Sequence, residues 1–174
     1  MVVATVAEAE YVPSGLRMVV TGIGKTAAAV ATTRAVLQER PSEIVNVGSA
    51  GALRHGLTGL LEVGTVLNHD MNGDAIRALG YEPLDVLSVG SSDVVLASGD
   101  VFVSDPAVRA RLAERAHLVD MEGYAVAYAA RELGVPVTLV KHVSDNADET
   151  ALDWVDVVSV SARAVGDWLA ARYA

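Results

Sequence analysis

The stretch Asn46–Ala52, with the sequence NVGSAGA, follows directly on the apolar run Glu43–Val47 and decides how the chain folds. The run is rich in β-branched residues, as is typical of a buried strand. The small residues after it predict a turn at the end of the strand, where a ligand can touch the backbone. Ser49 offers a hydroxyl, and the amides of Ala50 and Gly51 are donors for a hydroxyl, a water or an anion. An ordinary strand-ending turn explains the stretch equally well.

Similar apolar runs and helical stretches recur along the chain. The other predicted strands are Val2 to Val6, Met18 to Thr21, Val63 to Leu67, Val94 to Ala97 and Val137 to Val143. Ala- and Leu-rich stretches of helical period lie at Lys25 to Arg40, Asp105 to Arg115, Glu122 to Leu133 and about Asp153 to Tyr173. Strands alternating with helices predict an α/β fold with a mostly parallel sheet covered on both faces, and sites in such folds gather at the carboxyl ends of strands. The 174 residues fit one domain, 1–174.

The composition argues against several functional classes. The chain has 22 acidic and 13 basic residues, and its formal net charge is −9. Because the basic residues are scattered, nucleic acid and anionic membrane are poor partners. With no cysteine and four scattered histidines, no metal site is expected. No stretch approaches the roughly 20 apolar residues that span a bilayer, and a cytoplasmic location is expected.

The stretch VVTGIGKTAAAV contains Gly24, Lys25 and Thr26 in the order that ends a Walker A phosphate loop. The match fails at its start, because Val19 stands where that motif needs a glycine. The stretch therefore predicts a tight strand-to-helix turn rather than a site for nucleoside triphosphates.

Two acidic motifs follow other apolar segments. LVDMEGYAVAYAA places Asp120, Met121 and Glu122 at the start of a helix, where acids often serve only as partners of the helix dipole. VTLVKHVSDNAD ends an apolar strand with Ser144 and Asp145. An acid at the carboxyl end of a buried strand is where α/β enzymes place catalytic groups, although it can equally cap the next helix.

Taken together and in order, these motifs resemble the nucleoside phosphorylase superfamily, and within it the methylthioadenosine/S-adenosylhomocysteine nucleosidases. The resemblance runs through VAEAEYV, TGIGKTAAA, NVGSAGA, LGYEP, SGDVF, VDMEGYA and VSDNAD. It implies a three-layer phosphorylase/hydrolase-like fold with a central mixed, mostly parallel sheet flanked by helices. It also implies a homodimer that needs no cofactor and hydrolyses the N-glycosidic bond of an adenosine-type purine nucleoside. This chain is shorter than typical members, so part of the usual sheet and pocket wall is expected to be missing.

The resemblance implies catalytic roles for the matching acids. Asp145 is similar to the acid that protonates the departing base, with Ser144 placed to orient it. Glu122 is similar to the carboxylate that accepts hydrogen bonds from the ribose hydroxyls and favours a cationic sugar. Glu10 is similar to the glutamate that takes a proton from the attacking water, with Glu8 as the alternative.

Other matching residues are implied to bind the substrate. Phe102 is expected to stack on the base beside the backbone of Val103, although it can equally belong to the core. Lys141 stands where the nucleosidases have an arginine that helps to position water, and a lysine keeps the charge but loses the planar fork. The predicted substrate-binding set is Ser49, Ala50, Gly51, Phe102, Val103, Met121 against the ribose, Lys141, and Trp154 near the 5′ substituent.

The residues leave more than one function open. Phosphorylases of this superfamily hold phosphate with arginines, one of them just before the glycine-serine turn, where this chain has Asn46 and Val47. Water is therefore the expected nucleophile, while Arg54 downstream keeps a phosphorylase open. The deletions and Lys141 are also compatible with two other functions. One is a module that binds nucleosides without turnover, and the other is a nucleosidase with specificity shifted to futalosine or adenosine.

Overall fold

The structure, a computed structural model, describes residues 1–148 and 154–173, and of 154–156 it describes the backbone alone. This part of the chain forms one sheet of nine strands flanked by helices. The strands are β1 Val2–Val3, β2 Val19–Val20, β3 Ile44–Ala52, β4 Leu60–Glu62, β5 Thr65–Asn68, β6 Val86–Ser88, β7 Val95–Ser98, β8 Leu118–Asp120 and β9 Val137–Asp145. The α-helices are α1 Lys25–Glu39, α2 Gly73–Ala78, α3 Pro106–Ala113, α4 Gly123–Glu132 and α5 Trp154–Tyr173, and a 3-10 helix spans Ala7–Ala9.

The sheet is mixed, with parallel pairings in the majority. Strands β1–β2, β1–β3, β3–β9, β5–β7 and β7–β8 pair in parallel, and β3–β8, β4–β9 and β5–β6 pair antiparallel. The long strand β3 pairs with β1 and β9 and, at its end, with β8. The carboxyl ends of β3 and β9 and the short strand β8 therefore meet in one region of the sheet.

Helices cover the sheet on both faces, which gives three layers. On one face, Ala28 of α1 and Val126 of α4 pack against Ile44. On the other face, Leu169 of α5 packs against Val45. Neighbouring residues of β3 thus enter opposite core layers, as the alternation of side chains along a strand requires. The predicted architecture is confirmed.

Several elements differ from the sequence prediction. NVGSAGA makes up all of β3 after its first two residues and continues the strand to Ala52 instead of turning. The predicted strand Val2 to Val6 ends at Val3, because the following residues enter the 3-10 helix. Between β5 and β7, where the sequence predicts neither helix nor strand, lie α2 and β6, and α2 is capped by Asn72, whose side chain accepts a hydrogen bond from the Ala75 amide. Among the described helices, none has the length and apolar character needed to cross a membrane.

Candidate active site

A cavity lies at the carboxyl ends of the central strands. Its volume is about 140 Å³, and it opens to solvent. Four acids from three distant parts of the sequence line it: Glu8, Asp120, Glu122 and Asp145. The other lining residues are Ala4, Thr5, Ile23, Ser49, Ala50, Gly51, Val101, Phe102, Val103, Val119, Met121 and Ser144.

The second half of β3 lies between two of these acids and leaves room for both. A Cβ atom built on Gly48 would lie 2.8 Å from Glu8 Oε1. A Cβ atom built on Gly51 would lie 2.9 Å from Asp145 Oδ1. Both distances are shorter than a carbon and an oxygen tolerate without displacement. The two glycines of NVGSAGA therefore allow two carboxyl groups to approach one strand.

Glu8 is buried, and hydrogen bonds fix both of its carboxylate oxygens. Its Oε1 accepts the Ser49 amide at 2.8 Å and the Ser49 hydroxyl at 2.9 Å. Its Oε2 accepts the Thr5 amide at 3.1 Å and the Thr5 hydroxyl at 3.2 Å. A carboxylate held by four donors has one defined orientation, which a proton acceptor in a cavity needs.

Glu10 does not line the cavity, and this placement reverses the preference of the sequence analysis for Glu10 over Glu8. Glu8 lies within the 3-10 helix and Glu10 lies at its end, exposed to solvent. Because a 3-10 helix turns about 120° per residue, positions two apart point in different directions.

Asp145 reaches the cavity because of an irregularity in strand pairing. Ala50 pairs with Val143 and Gly51 pairs with Asp145, so β9 has one extra residue, Ser144, at this point. Such a bulge redirects the side chains that follow it. Asp145 Oδ1 accepts the Ala147 amide at 2.7 Å, and Oδ2 lies 2.6 Å from the Ser144 hydroxyl. That hydroxyl can donate to a carboxylate or accept from a carboxylic acid.

Glu122 precedes the first residue of α4, and its carboxylate is buried in the cavity wall. The amide of Gly24, just before α1, donates to Glu122 Oε1 at 2.8 Å. Burial and the nearby charge of Asp120 raise the pKa of Glu122 to about 7, while the charge of Lys141 and the Gly24 amide oppose the rise. This acid therefore exchanges its proton near neutral pH.

Lys141 does not line the cavity, contrary to the sequence prediction. Its side chain is buried in β9, and Nζ lies 2.9 Å from Asp120 Oδ2. Burial by itself lowers the pKa of Lys141, but the charges of Asp120 and Glu122 outweigh burial and raise it. Successive side chains along β9 point to opposite faces of the sheet. The ion pair with Asp120 holds the Lys141 ammonium behind the cavity wall. Lys141 acts on the site through Asp120 rather than by contact.

The predicted substrate-binding residues otherwise gather as a group. Ser49, Ala50, Gly51, Phe102, Val103 and Met121 all line the cavity. Val103 is buried, whereas Phe102 is 50% exposed, so Phe102 is not a core residue. The side chain of Trp154 lies outside the described part of the chain.

Arg54, which kept a phosphorylase open, faces away from the cavity. Its Nε donates to the Ala113 carbonyl at 3.0 Å, and its NH1 lies 2.9 Å from His117 Nε2. Among the described cavity-lining residues there is no lysine or arginine. Within the described ranges, no group of three or more acids and histidines is arranged to hold a metal ion.

Sequence reasoning gave no site role to several residues that the fold brings here. Thr5, Ile23 and Val101 line the cavity, and the Gly24 amide holds Glu122. The sequence predicts TGIGKT as a tight strand-to-helix turn, and the positive φ values of Gly22 and Gly24, 84° and 97°, fit glycine there. Asp120 was interpreted as a partner of the helix dipole. Its ion-pair partner Lys141 lies in β9, far away in sequence, so the sequence gives no local signal for this pair.

Comparisons with known proteins agree with this geometry. A family model described as the phosphorylase superfamily matches residues 14–83 and 74–171. A 5′-methylthioadenosine/S-adenosylhomocysteine nucleosidase of Shewanella oneidensis is 29% identical over 182 residues, which cover 83% of this chain and 74% of the relative.

Solved structures show the same fold. A Helicobacter pylori 5′-methylthioadenosine/S-adenosylhomocysteine nucleosidase matches with a TM-score of 0.85 and 23% identity over 98% of this chain and 94% of that chain. The futalosine hydrolase of Helicobacter pylori matches with a TM-score of 0.83 and 24% identity over 97% of this chain and 93% of that one. By its sequence match and its fold, the chain belongs to the phosphorylase superfamily.

Proposed function

We propose that this protein is a purine nucleosidase that hydrolyses the N-glycosidic bond of an adenosine-type nucleoside, such as 5′-methylthioadenosine. One observation carries the proposal: the carboxyl groups of Glu8, Glu122 and Asp145, far apart in sequence, line one cavity. The name of the Shewanella relative supports the same substrate class. The chemistry of glycosidic cleavage explains why three acids are useful together.

Breaking the bond between a purine and ribose leaves positive charge on the sugar and negative charge on the base. Protonated Asp145 donates its proton to a ring nitrogen of the departing base, so that a neutral purine leaves. The carbon–nitrogen bond breaks with its electron pair on the base. Ser144, 2.6 Å from Asp145, holds the acid in place during the transfer.

Water supplies the new bond to the sugar carbon. Glu8 takes one proton from this water as its oxygen attacks, and the ribose derivative leaves with a hydroxyl in place of the base. The hydrogen bonds from Thr5 and Ser49 fix the Glu8 carboxylate. Proton transfer from Glu8 back to Asp145 through solvent restores the starting state.

Glu122 binds the ribose and offsets its charge. In ionised form it accepts hydrogen bonds from ribose hydroxyls and lies beside the developing cation, where the low-dielectric surroundings strengthen the attraction. Hydroxyl donors from the substrate favour the ionised form over the protonated form. Substrate binding therefore lowers the pKa of Glu122 from its value of about 7.

The homodimer and the cytoplasmic location stay predictions of this proposal. Apolar side chains at the cavity rim support a partner surface: Ile23 is 61% exposed, Val101 53% and Phe102 50%. Large apolar groups clustered on a surface are typical of protein contacts. Sedimentation of the purified chain tests the predicted dimer.

The decisive experiment measures release of adenine from 5′-methylthioadenosine with and without inorganic phosphate. We expect equal release in both conditions and free methylthioribose as the second product. A requirement for phosphate would show that the protein catalyses phosphorolysis instead of hydrolysis. Tight binding without release would leave a nucleoside-binding module. Parallel assays with adenosine and futalosine define which 5′ group the cavity accepts.

A further inference from the structure

Lys25 of TGIGKT joins three acceptors beside the cavity, two through its side chain and one through its backbone amide. Its Nζ donates to Asn68 Oδ1 at 2.7 Å and makes a short hydrogen bond with Asp70 Oδ1. The backbone amide of the same residue donates to Asp100 Oδ1 at 2.7 Å. Asp70 and Asp100 are also joined directly, because Asp70 Oδ2 accepts the Asp100 amide at 2.8 Å. We call Lys25, Asp70 and Asp100 the clasp.

The clasp holds a segment that has little backbone support of its own. Residues 99–105, between β7 and α3, form neither helix nor strand, and they include Phe102 and Val103 of the cavity wall. The Asp100 amide is held by Asp70 and the Asp100 carboxylate by the start of α1. Two hydrogen bonds at one residue therefore fix where the segment leaves β7.

The clasp is also tied to the acid that binds the ribose. The amide of Gly24 donates to Glu122, and the next amide along the chain, that of Lys25, donates to Asp100. Consecutive amides at the start of one helix thus hold both the ribose acid and the base-binding segment. Their spacing is fixed by the helix geometry, which varies little.

Two of the three clasp side chains are partly buried, whereas that of Asp100 is 51% exposed. The Lys25 side chain is 18% exposed and that of Asp70 23%. Burial by itself raises the pKa of Asp70, but hydrogen bonds from Lys25 and Asp100 lower it below its ordinary value. Asp70 is therefore ionised at neutral pH, and a partly buried, charge-assisted pair contributes more than an exposed one.

From this geometry we propose that Lys25, Asp70 and Asp100 are positioning residues that set the distance between the base-binding segment 99–103 and the ribose-binding acid Glu122. The inference rests on the proposed function for its substrate and not for its geometry. The clasp touches no reacting atom. Loss of the clasp should weaken binding of the base equally in the ground state and in the transition state. KM should then rise while kcat stays unchanged.

The test compares Lys25→Met with Lys25→Arg and with Glu39→Gln. Lys25→Met removes the ammonium and keeps the length of the side chain, whereas Lys25→Arg keeps a charge for Asp70. Glu39→Gln breaks the exposed ion pair with Arg17 at the other end of α1 and controls for a damaged helix. For 5′-methylthioadenosine, Lys25→Met should raise KM about tenfold or more with kcat within about threefold, as loss of a charge-assisted hydrogen bond implies.

We expect Lys25→Arg to recover much of the KM and Glu39→Gln to match the wild type. An unchanged KM in Lys25→Met, or a fall in kcat at constant KM, overturns the proposal. The double variant Lys25→Met with Asp70→Asn should be no worse than the more impaired single variant, because the clasp acts as one unit. Additive losses in the two single variants also count against it.

Hydrogen exchange in the ligand-free protein separates the clasp from the proposed function. Lys25→Met should speed exchange of the Asp100 amide and of its neighbours in 99–103, with α5 amides unchanged. This readout needs no turnover. A wild-type chain that releases no adenine therefore overturns the nucleosidase alone, and equal exchange in both proteins overturns the clasp alone.

Discussion

Ser49 donates both its amide and its hydroxyl hydrogen to a single oxygen of Glu8, at 2.8 Å and 2.9 Å. The two residues lie 41 positions apart in sequence, so local motifs do not reveal this contact. The contact holds Glu8, and not Glu10, in the cavity wall. Variants of the two glutamates can be compared directly.

Glu8→Gln should reduce kcat at least a hundredfold, because an amide cannot take the proton from the attacking water. Glu10→Gln is the matched control: the same change, two residues away, at an exposed position outside the cavity. It should leave kcat within about twofold of the wild type, as surface substitutions usually do. Steady-state rates of adenine release decide between them, and a severe loss in Glu10→Gln with an active Glu8→Gln would reverse the assignment.

Asp145→Asn should lower kcat by about a hundredfold to ten-thousandfold, because it removes the proton donor and keeps the shape. An asparagine oxygen can still accept the Ala147 amide. Asp105→Asn provides the control, since Asp105 also accepts an amide two residues on, that of Ala107 at 2.7 Å, but caps α3 outside the cavity. Rates and thermal midpoints of both variants are compared. Near-normal turnover in Asp145→Asn would remove Asp145 from the mechanism.

The large features of the fold could be predicted from the sequence because they depend on long apolar patterns. The apolar run Glu43–Val47 at the start of β3 and the helical period of α1 are such cases. Strands β4, β6 and β8 have three residues each, which is too short for a periodicity to emerge. The superfamily was also identified correctly from ordered motifs.

Site residues were harder to place than the fold. Asp145 and Glu122 follow strands and lie where strand ends converge, so their position in the chain was informative. The choice between Glu8 and Glu10 depended on three residues forming a 3-10 helix instead of a strand. Lys141 was misplaced because only the folded chain brings its ammonium to Asp120, 21 positions earlier in sequence.

The pH dependence of catalysis should report the ionisation of Glu122. Its pKa in the free protein is raised to about 7, so the carboxylate that the sugar needs is lost as pH falls below that value. We expect kcat/KM to decline tenfold per pH unit on the acid side, with an inflection near pH 7. In Glu122→Gln, kcat/KM should be much lower, and this inflection should be absent. A wild-type profile flat from pH 8 to pH 5.5 would contradict the assignment.

The same shift makes a prediction for stability. The folded pKa of Glu122 lies above the ordinary value of 4.5, so the native state binds more protons than the unfolded state between these limits. The contribution of this acid to the free energy of unfolding is therefore fully present below about pH 4.5 and is lost as pH rises through about 7. The free energy of unfolding of Glu122→Gln, measured relative to that of the wild type, should therefore rise by roughly 1 to 3 kcal/mol from pH 5 to pH 8. Urea unfolding at both pH values measures the change, and a constant difference between the proteins would refute the shift.

Lys141→Met tests the ion pair behind the cavity wall. The substitution leaves Asp120 buried without its counter-ion, which should lower the free energy of unfolding by about 3 to 5 kcal/mol. Arg17→Met is the control, because its ion pair with Glu39 is largely exposed and should cost less than about 1 kcal/mol. Denaturant unfolding at pH 7.5 compares the two, and equal small losses would show that the buried pair contributes little.

The same variant should alter catalysis through Glu122 without contact to substrate. The charge of Lys141 opposes the rise in the pKa of Glu122, so its removal raises that pKa further. The acid limb of the kcat/KM profile should then move to higher pH in Lys141→Met. Adding Asp120→Asn removes a negative charge beside Glu122 and should move the limb back while recovering part of the lost stability, because the uncompensated buried carboxylate is gone. A limb that stays in place in both variants would mean that Glu122 titrates independently of the pair behind it.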